Sequence, residues 1–213
     1  MDQLSDRIYQ FKITLKELRP PIWRRIEVPG TYTFWDLHVA IQDVMGWWDY
    51  HLHEFRIDSP ETELPVRIGS PNEEMSLIAP IIAGWELRIA DYFTESNTKA
   101  DYDYDFGDGW SHAVLLERIV ARDPQLVYPR CTAGRRACPP EDCGGTWGYS
   151  ELLRKLADPT DPEHEDMLAW LDREFDPEHF DPSEVDFEDP RERWQRAYGL
   201  EYDDVRNGPG RPN

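Results

Sequence analysis

Tyr102-Asp103-Tyr104-Asp105-Phe106-Gly107-Asp108-Gly109-Trp110-Ser111-His112 decides how the rest of the chain is read. Apolar and acidic residues alternate as far as Phe106, Gly107-Asp108-Gly109 interrupts, and alternation resumes through Trp110, His112, Val114 and Leu116. Period-two alternation around a glycine-bracketed break is the signature of a β-hairpin. A two-residue turn at Asp108-Gly109 sets Asp105 opposite His112. A three-residue turn over 107–109 pairs Phe106 with Trp110 and Tyr104 with His112. A one-residue slip exchanges the faces of a strand, and only the second register places every aromatic on one face. That register is the expectation, with His112 on an aromatic face where an imidazole is costly to ionise.

Outward from the hairpin, Ile8 to Leu15 alternates and reads as a strand, Leu18-Arg19-Pro20-Pro21 as a turn, and Ile22 to Val28 as a returning strand. Thr33 and Asp36 form a capping box for a helix that Gly46 ends. Phe34, Leu37, Ile41, Val44 and Met45 recur at helical spacing and should face the core, with Trp47 and Trp48 closing the helix exit. His51 to Ile57 reads as a third strand, residues 58–84 as irregular apart from a short strand at Val66–Ile68, and Trp85 to Tyr92 as a further strand. Residues 128–149 carry turn formers and little periodicity, so they read as a long loop. Ser150 is the expected cap of a helix over 151–157, and Asp161-Pro162 and Asp189-Pro190 open two more, the last ending at Gly199.

The class is therefore α+β: a curved antiparallel or mixed sheet with a β-grasp-like strand–strand–helix–strand start and a C-terminal helical segment. The expected organisation is a core domain over 1–157, an acidic helical extension over 158–206 packed on it, and a disordered tail over 207–213.

Composition narrows the functional classes. The 213 residues are only 39% apolar, but 9 Trp, 10 Tyr and 8 Phe supply large buried areas per residue. Net charge is −20, and residues 158–213, with 18 acids against 6 bases, hold −12 of it. Such a field repels a phosphate backbone, which argues against nucleic acid unless a local basic surface exists; Arg24-Arg25 and Arg135-Arg136 are the candidates. There is no secretory leader pattern and no window of the ~18–20 apolar residues needed to span a bilayer. Three cysteines in a chain without an export signal suit a reducing compartment, so the expectation is a cytoplasmic protein with free thiols at Cys131, Cys138 and Cys143.

Three stretches can carry chemistry. His51 and His53, two apart on a strand, share a face; with His112 as third ligand they could hold a divalent metal such as zinc, Asp108 and Glu141 being other candidates. Pro139-Pro140-Glu141-Asp142-Cys143-Gly144-Gly145 presents adjacent carboxylates on a stiffened, glycine-flanked loop. The hairpin turn supplies Asp105, Asp108 and Trp110. The expectation is that these stretches converge on one cleft lined by His51, His53, Asp105, Asp108, Trp110, His112, Glu141 and Asp142.

Pro20-Pro21-Ile22-Trp23-Arg24, Met45-Gly46-Trp47, His51-Leu52-His53-Glu54-Phe55, Tyr104-Asp105-Phe106-Gly107-Asp108 with Trp110 and His112, and Pro139-Pro140-Glu141-Asp142-x-Gly144-Gly145-x-x-Gly148-Tyr149 occur in this order. With them the chain resembles the plasmid pRiA4b open-reading-frame-three-like family over residues 5–185. The resemblance implies a single cytoplasmic α+β domain of bacterial or archaeal type with no established biochemical role. Members are sometimes labelled transposon-passenger TnpR proteins, a mobile-element association. A serine recombinase needs a nucleophilic serine among arginines and a basic DNA-reading helix, and this acidic chain displays neither. The leading reading is a module that binds a protein or small-molecule partner. The alternative is a metal-assisted hydrolase using the same His/carboxylate set, and a third is duplex association through the four arginines.

Overall fold

The computed structural model describes residues 4–71, 80–171 and 174–199; the expected tail over 207–213 lies outside them. Eight strands form one open sheet in the order β5-β4-β3-β6-β7-β1-β2-β8. They are β1 (Arg7–Leu15), β2 (Trp23–Pro29), β3 (His53–Asp58), β4 (Pro65–Gly69), β5 (Ile81–Ala83), β6 (Lys99–Tyr104), β7 (Trp110–Ala121) and β8 (Arg130–Arg135). Neighbours run antiparallel except β4 and β5, which are parallel. Five α-helices accompany the sheet among the described residues: α1 (Phe34–Met45), α2 (Ile89–Tyr92), α3 (Gly145–Ala157), α4 (His164–Leu171) and α5 (Pro190–Tyr198).

Helix α1 is built as its sequence prescribes. The Thr33 hydroxyl accepts from the Asp36 amide at 3.2 Å, the Asp36 carboxylate accepts from the Thr33 amide at 2.8 Å, and Gly46 closes the helix in a left-handed conformation. Phe34, Leu37, Ile41, Val44 and Met45 are all buried against Phe11, Ile13 and Leu15 of β1, Ile26 and Val28 of β2, and Tyr102, Tyr104 and Trp110 of the central hairpin. The opposite side of α1 is covered as well, because α5 lies over it. Trp194 of α5 sits edge-on to Trp35 and Trp85, ring centres 5.1 and 4.8 Å away, and the Trp35 indole donates to the Pro190 carbonyl. Arg193 reaches the Asp43 carboxylate at 2.7 Å. A helix buried on both sides is the middle layer of three, which places its polar His38 and Gln42 inside the protein.

The central hairpin departs from both expected registers. Tyr104 pairs with Trp110 and Tyr102 with His112, a slip of two residues from the three-residue turn. Parity is kept, so Tyr102, Tyr104, Trp110 and His112 do share the core face, while Phe106 leaves it and is exposed. The cause is Asp105. Its Oδ1 accepts from the Gly107 and Asp108 amides and its backbone is left-handed at φ 52°, which ends β6 and makes a five-residue loop over 105–109.

Other boundaries shift for equally local reasons. Trp85 to Tyr92 is not a strand: after a bridge at Arg88 it closes the single turn α2. Its apolar residues fit spacing four as well as spacing two, and Trp85 is held by Trp194. Within the expected loop over 128–149 lies the edge strand β8, paired to β2 around a bulge at Arg25/Ile26. Helix α3 begins at Gly145, so Ser150 lies within it, its hydroxyl donating to the Thr146 carbonyl.

Candidate functional site

Three loops meet beyond the end of the central hairpin: the segment between α1 and β3, the 105–109 turn, and the 139–145 approach to α3. The Tyr104 hydroxyl donates to Glu141 Oε1 at 2.6 Å, and the Trp48 amide donates to Glu141 Oε2 at 2.8 Å. The Gly144 amide donates to Asp108 Oδ2 at 3.0 Å, and the Trp47 indole donates to the Pro139 carbonyl at 2.9 Å. A Cβ at Gly145 would collide with the Asp108 backbone oxygen, so glycine lets these two loops touch.

At the centre of the junction His51 Nε2 lies 3.2 Å from Asp142 Oδ1 and 3.6 Å from Asp105 Oδ2. One ligand atom from each of the three residues falls within 4.8 Å of the others. The nitrogen is out of solvent and makes no hydrogen bond. Asp105 is buried, 6% exposed, whereas Asp142 is open to solvent. Both aspartates have left-handed backbone, at φ 52° and 57°, a conformation that is uncommon outside glycine and that concentrates at ligand-holding positions. Among the described residues no lysine or arginine pairs with Asp105, Asp108, Glu141 or Asp142.

A second polar group lies inside the fold, between α1 and the sheet. The Gln42 amide donates to the Tyr102 hydroxyl at 2.9 Å. The Tyr102 hydroxyl in turn meets His38 Nδ1 at 2.8 Å, and His38 Nε2 meets Asp49 Oδ1 at 2.9 Å. With its oxygen accepting from Gln42, Tyr102 gives its own hydrogen to Nδ1, and Nε2–H then donates to Asp49. The His53 ring stacks on His38 with centres 3.4 Å apart and planes 9° apart, and burial holds its imidazole well below the usual range. His38, Asp49 and His53 also offer ligand atoms within 4.8 Å. Yet stacked rings point their nitrogen lone pairs in parallel rather than at a common centre, and both nitrogens of His38 are engaged. This is a buried structural network in which both His38 nitrogens are satisfied, with Gln42 Oε1 alone left without a partner among the described residues. His38 and Asp49 have no counterpart in the sequence reading. The one available signal for His38 was its position four residues after Phe34 on the buried side of α1.

The histidines expected to act together are thus divided. β3 starts at His53, so His51 lies before the strand and the same-face rule does not apply to it. His51 joins Asp105 and Asp142, while His53 joins His38. His112 joins neither: it is 0% exposed, its Nδ1 faces the Tyr102 carbonyl at 3.2 Å, and burial depresses its pKa to about 4. The set His51, His53, His112 is therefore not one metal centre. Trp110 is sealed in the core beside Trp47 and does not reach the loop junction. His51, Asp105 and Asp142 meet at that junction, with Asp108 and Glu141 as their supports.

The thiols are free, and burial raises Cys138 and Cys143 to about 12. Of the four arginines considered for duplex binding, Arg24 is buried and donates to the Val44 and Arg135 carbonyls. Arg136 is buried and pairs with Glu178, and Arg25 grips Glu117 with two nitrogens. Among the described residues no helix is long and apolar enough to cross a membrane.

Residues 7–184 match the family described as plasmid pRiA4b ORF-3-like protein. The chain is 36% identical over 168 residues to the uncharacterized protein y4hQ of Sinorhizobium fredii, covering 76% of this chain and 80% of that protein. It is also similar to the crystal structure of the protein of unknown function MM3350 from Methanosarcina mazei Go1, with 48% identity and a TM-score of 0.80 over 85% of this chain and 99% of that one.

Proposed function

The chain belongs to the plasmid pRiA4b ORF-3-like family, and we propose that it is a ligand-binding module whose site is the loop junction at His51, Asp105 and Asp142, with a divalent cation as its first ligand. The observation that carries this reading is the unbonded His51 Nε2 between two carboxylates held in left-handed backbone. Ligand atoms about 2.0–2.2 Å from a shared ion lie about 3.3 Å apart in a tetrahedral set; the separations of 3.2 and 3.6 Å from Nε2 fit with little movement. One imidazole and two carboxylates suit zinc or manganese.

Electrostatics points the same way. Two carboxylate charges no more than 4.8 Å apart repel by at least ~1 kcal/mol at the dielectric of bulk water and ~3 kcal/mol at an effective dielectric of 20. A cation turns that cost into attraction. The hydrolase reading needs a carboxylate free to take a proton from metal-bound water. Glu141 is engaged at both oxygens and Asp108 at one, so binding is favoured over hydrolysis.

Calorimetric titration of chelator-treated protein with Mn²⁺ or Zn²⁺ tests the reading. One equivalent per chain is expected, lost in His51→Ala and kept in a control variant at the exposed His179, His179→Ala. No binding at millimolar ion, or binding indifferent to His51, overturns it.

A further inference from the structure

Asp142 belongs to two features at once. It is a corner of the His51 group, and it also lines a cavity of about 280 Å³ between α3 and α4. Trp147 of α3 and Trp170 of α4 line the same cavity, with Leu152 and Met167 as its apolar floor. These indoles are 77% and 45% exposed, although tryptophan is normally well covered in folded proteins. Lys155, itself on the cavity wall with Glu151, pairs with Glu163 at 2.6 Å, and Arg154 pairs with Asp161 at 2.9 Å, so α3 is tied to the connection that leads into α4 independently of the indoles.

We propose that this cavity seats the ring of a small aromatic ligand whose anionic group reaches the cation at Asp142. The inference rests on the cation reading above and names the ligand class for that site. The cavity, about 280 Å³, lies just below the usual range of ligand-pocket volumes, which leaves room for a single small ring system. Paired indoles offer flat apolar faces, and aromatic ring pairs gain beyond their buried area. Asp142 leads from the cavity to the cation, and its own charge repels an anion until that ion is bound. Binding is therefore ordered, cation first and aromatic anion second.

Phenylphosphonate, methylphosphonate and benzylamine are the probes, each titrated against the full chain with and without saturating Mn²⁺. Phenylphosphonate is expected to bind only the Mn²⁺-loaded protein, at least tenfold more tightly than methylphosphonate. Trp147→Ala and Trp170→Ala should each weaken it about tenfold while leaving one Mn²⁺ per chain. Equal affinity for the two phosphonates, indifference to both indoles, or benzylamine binding to the ion-free protein in their place overturns the inference. If Mn²⁺ itself fails to bind, the underlying cation reading falls, and this one with it. If Mn²⁺ binds normally and the ring confers nothing, only this inference falls.

Discussion

Replacing Asp105 separates its two duties. Its Oδ1 accepts from the Gly107 and Asp108 amides at 2.9 and 3.2 Å, while Oδ2 faces His51. Asp105→Ala removes two hydrogen bonds, each contributing about 1 kcal/mol, and leaves alanine in a left-handed backbone that costs roughly 1 kcal/mol more. The sum is about 3 kcal/mol. Asp105→Asn keeps a carbonyl oxygen for the two amides and tolerates left-handed backbone, so its cost should stay within about 1 kcal/mol. It removes the negative charge, however, and so weakens the hold on the cation. Urea unfolding followed by tryptophan fluorescence gives the stabilities, and calorimetric Mn²⁺ titration gives the affinities. The expected pattern is a destabilised alanine variant, a stable asparagine variant, and weakened cation binding in both. An alanine variant as stable as the asparagine one refutes the account of the turn, and an asparagine variant with unchanged affinity refutes the account of the site.

Four further predictions turn on other residues. His112, neutral and buried with a folded pKa of about 4 against about 6.5 in the unfolded chain, contributes stability that is full above pH 6.5 and lost as pH falls toward 4. Between pH 7 and pH 4.5 this amounts to about 2–3 kcal/mol, and urea midpoints of His112→Leu should show a correspondingly shallower acid loss. Asp43, raised by burial to about 6, acts in the opposite sense, its contribution falling as pH rises from about 4 through 6. Gly145→Ala sets a Cβ against the Asp108 carbonyl at a left-handed position, so it should push the two loops apart and weaken Mn²⁺ binding about tenfold by calorimetry, about 1.4 kcal/mol. Trp194→Ala empties a 0%-exposed site among Trp35, Trp85 and Tyr198, at a cost of about 3–5 kcal/mol measurable by urea unfolding, with faster amide exchange in α1.

Much of the architecture could be read from residues alone where local chemistry decides it. Thr33, Asp36 and Gly46 fix both ends of α1, and alternation fixes which face of β6 and β7 is buried. Alternation cannot fix register, because a slip of two preserves every face; Asp105 set it, through hydrogen bonds to its own loop. β8 was not legible because Arg130–Arg135 carries small and charged residues at an edge, where pairing with β2 rather than side-chain pattern makes the strand. At the candidate site, His51, Asp105 and Asp142 stood out as polar groups beside glycine and proline. His38 did not, since a histidine among helical core positions resembles any other buried side chain, and Asp49 follows the helix with no motif around it. Trp110 and His112 lie on the face that alternation assigns them, but Trp47 packs against both and seals them in the core, a contact from a distant loop that alternation does not reveal.

Anomalous diffraction from crystals soaked in Mn²⁺ or Zn²⁺ tests the central claim most directly. The account predicts a single strong peak about 2.0–2.2 Å from His51 Nε2, Asp105 Oδ2 and Asp142 Oδ1. A peak at the stacked His38–His53 pair instead, or none at millimolar ion, contradicts it.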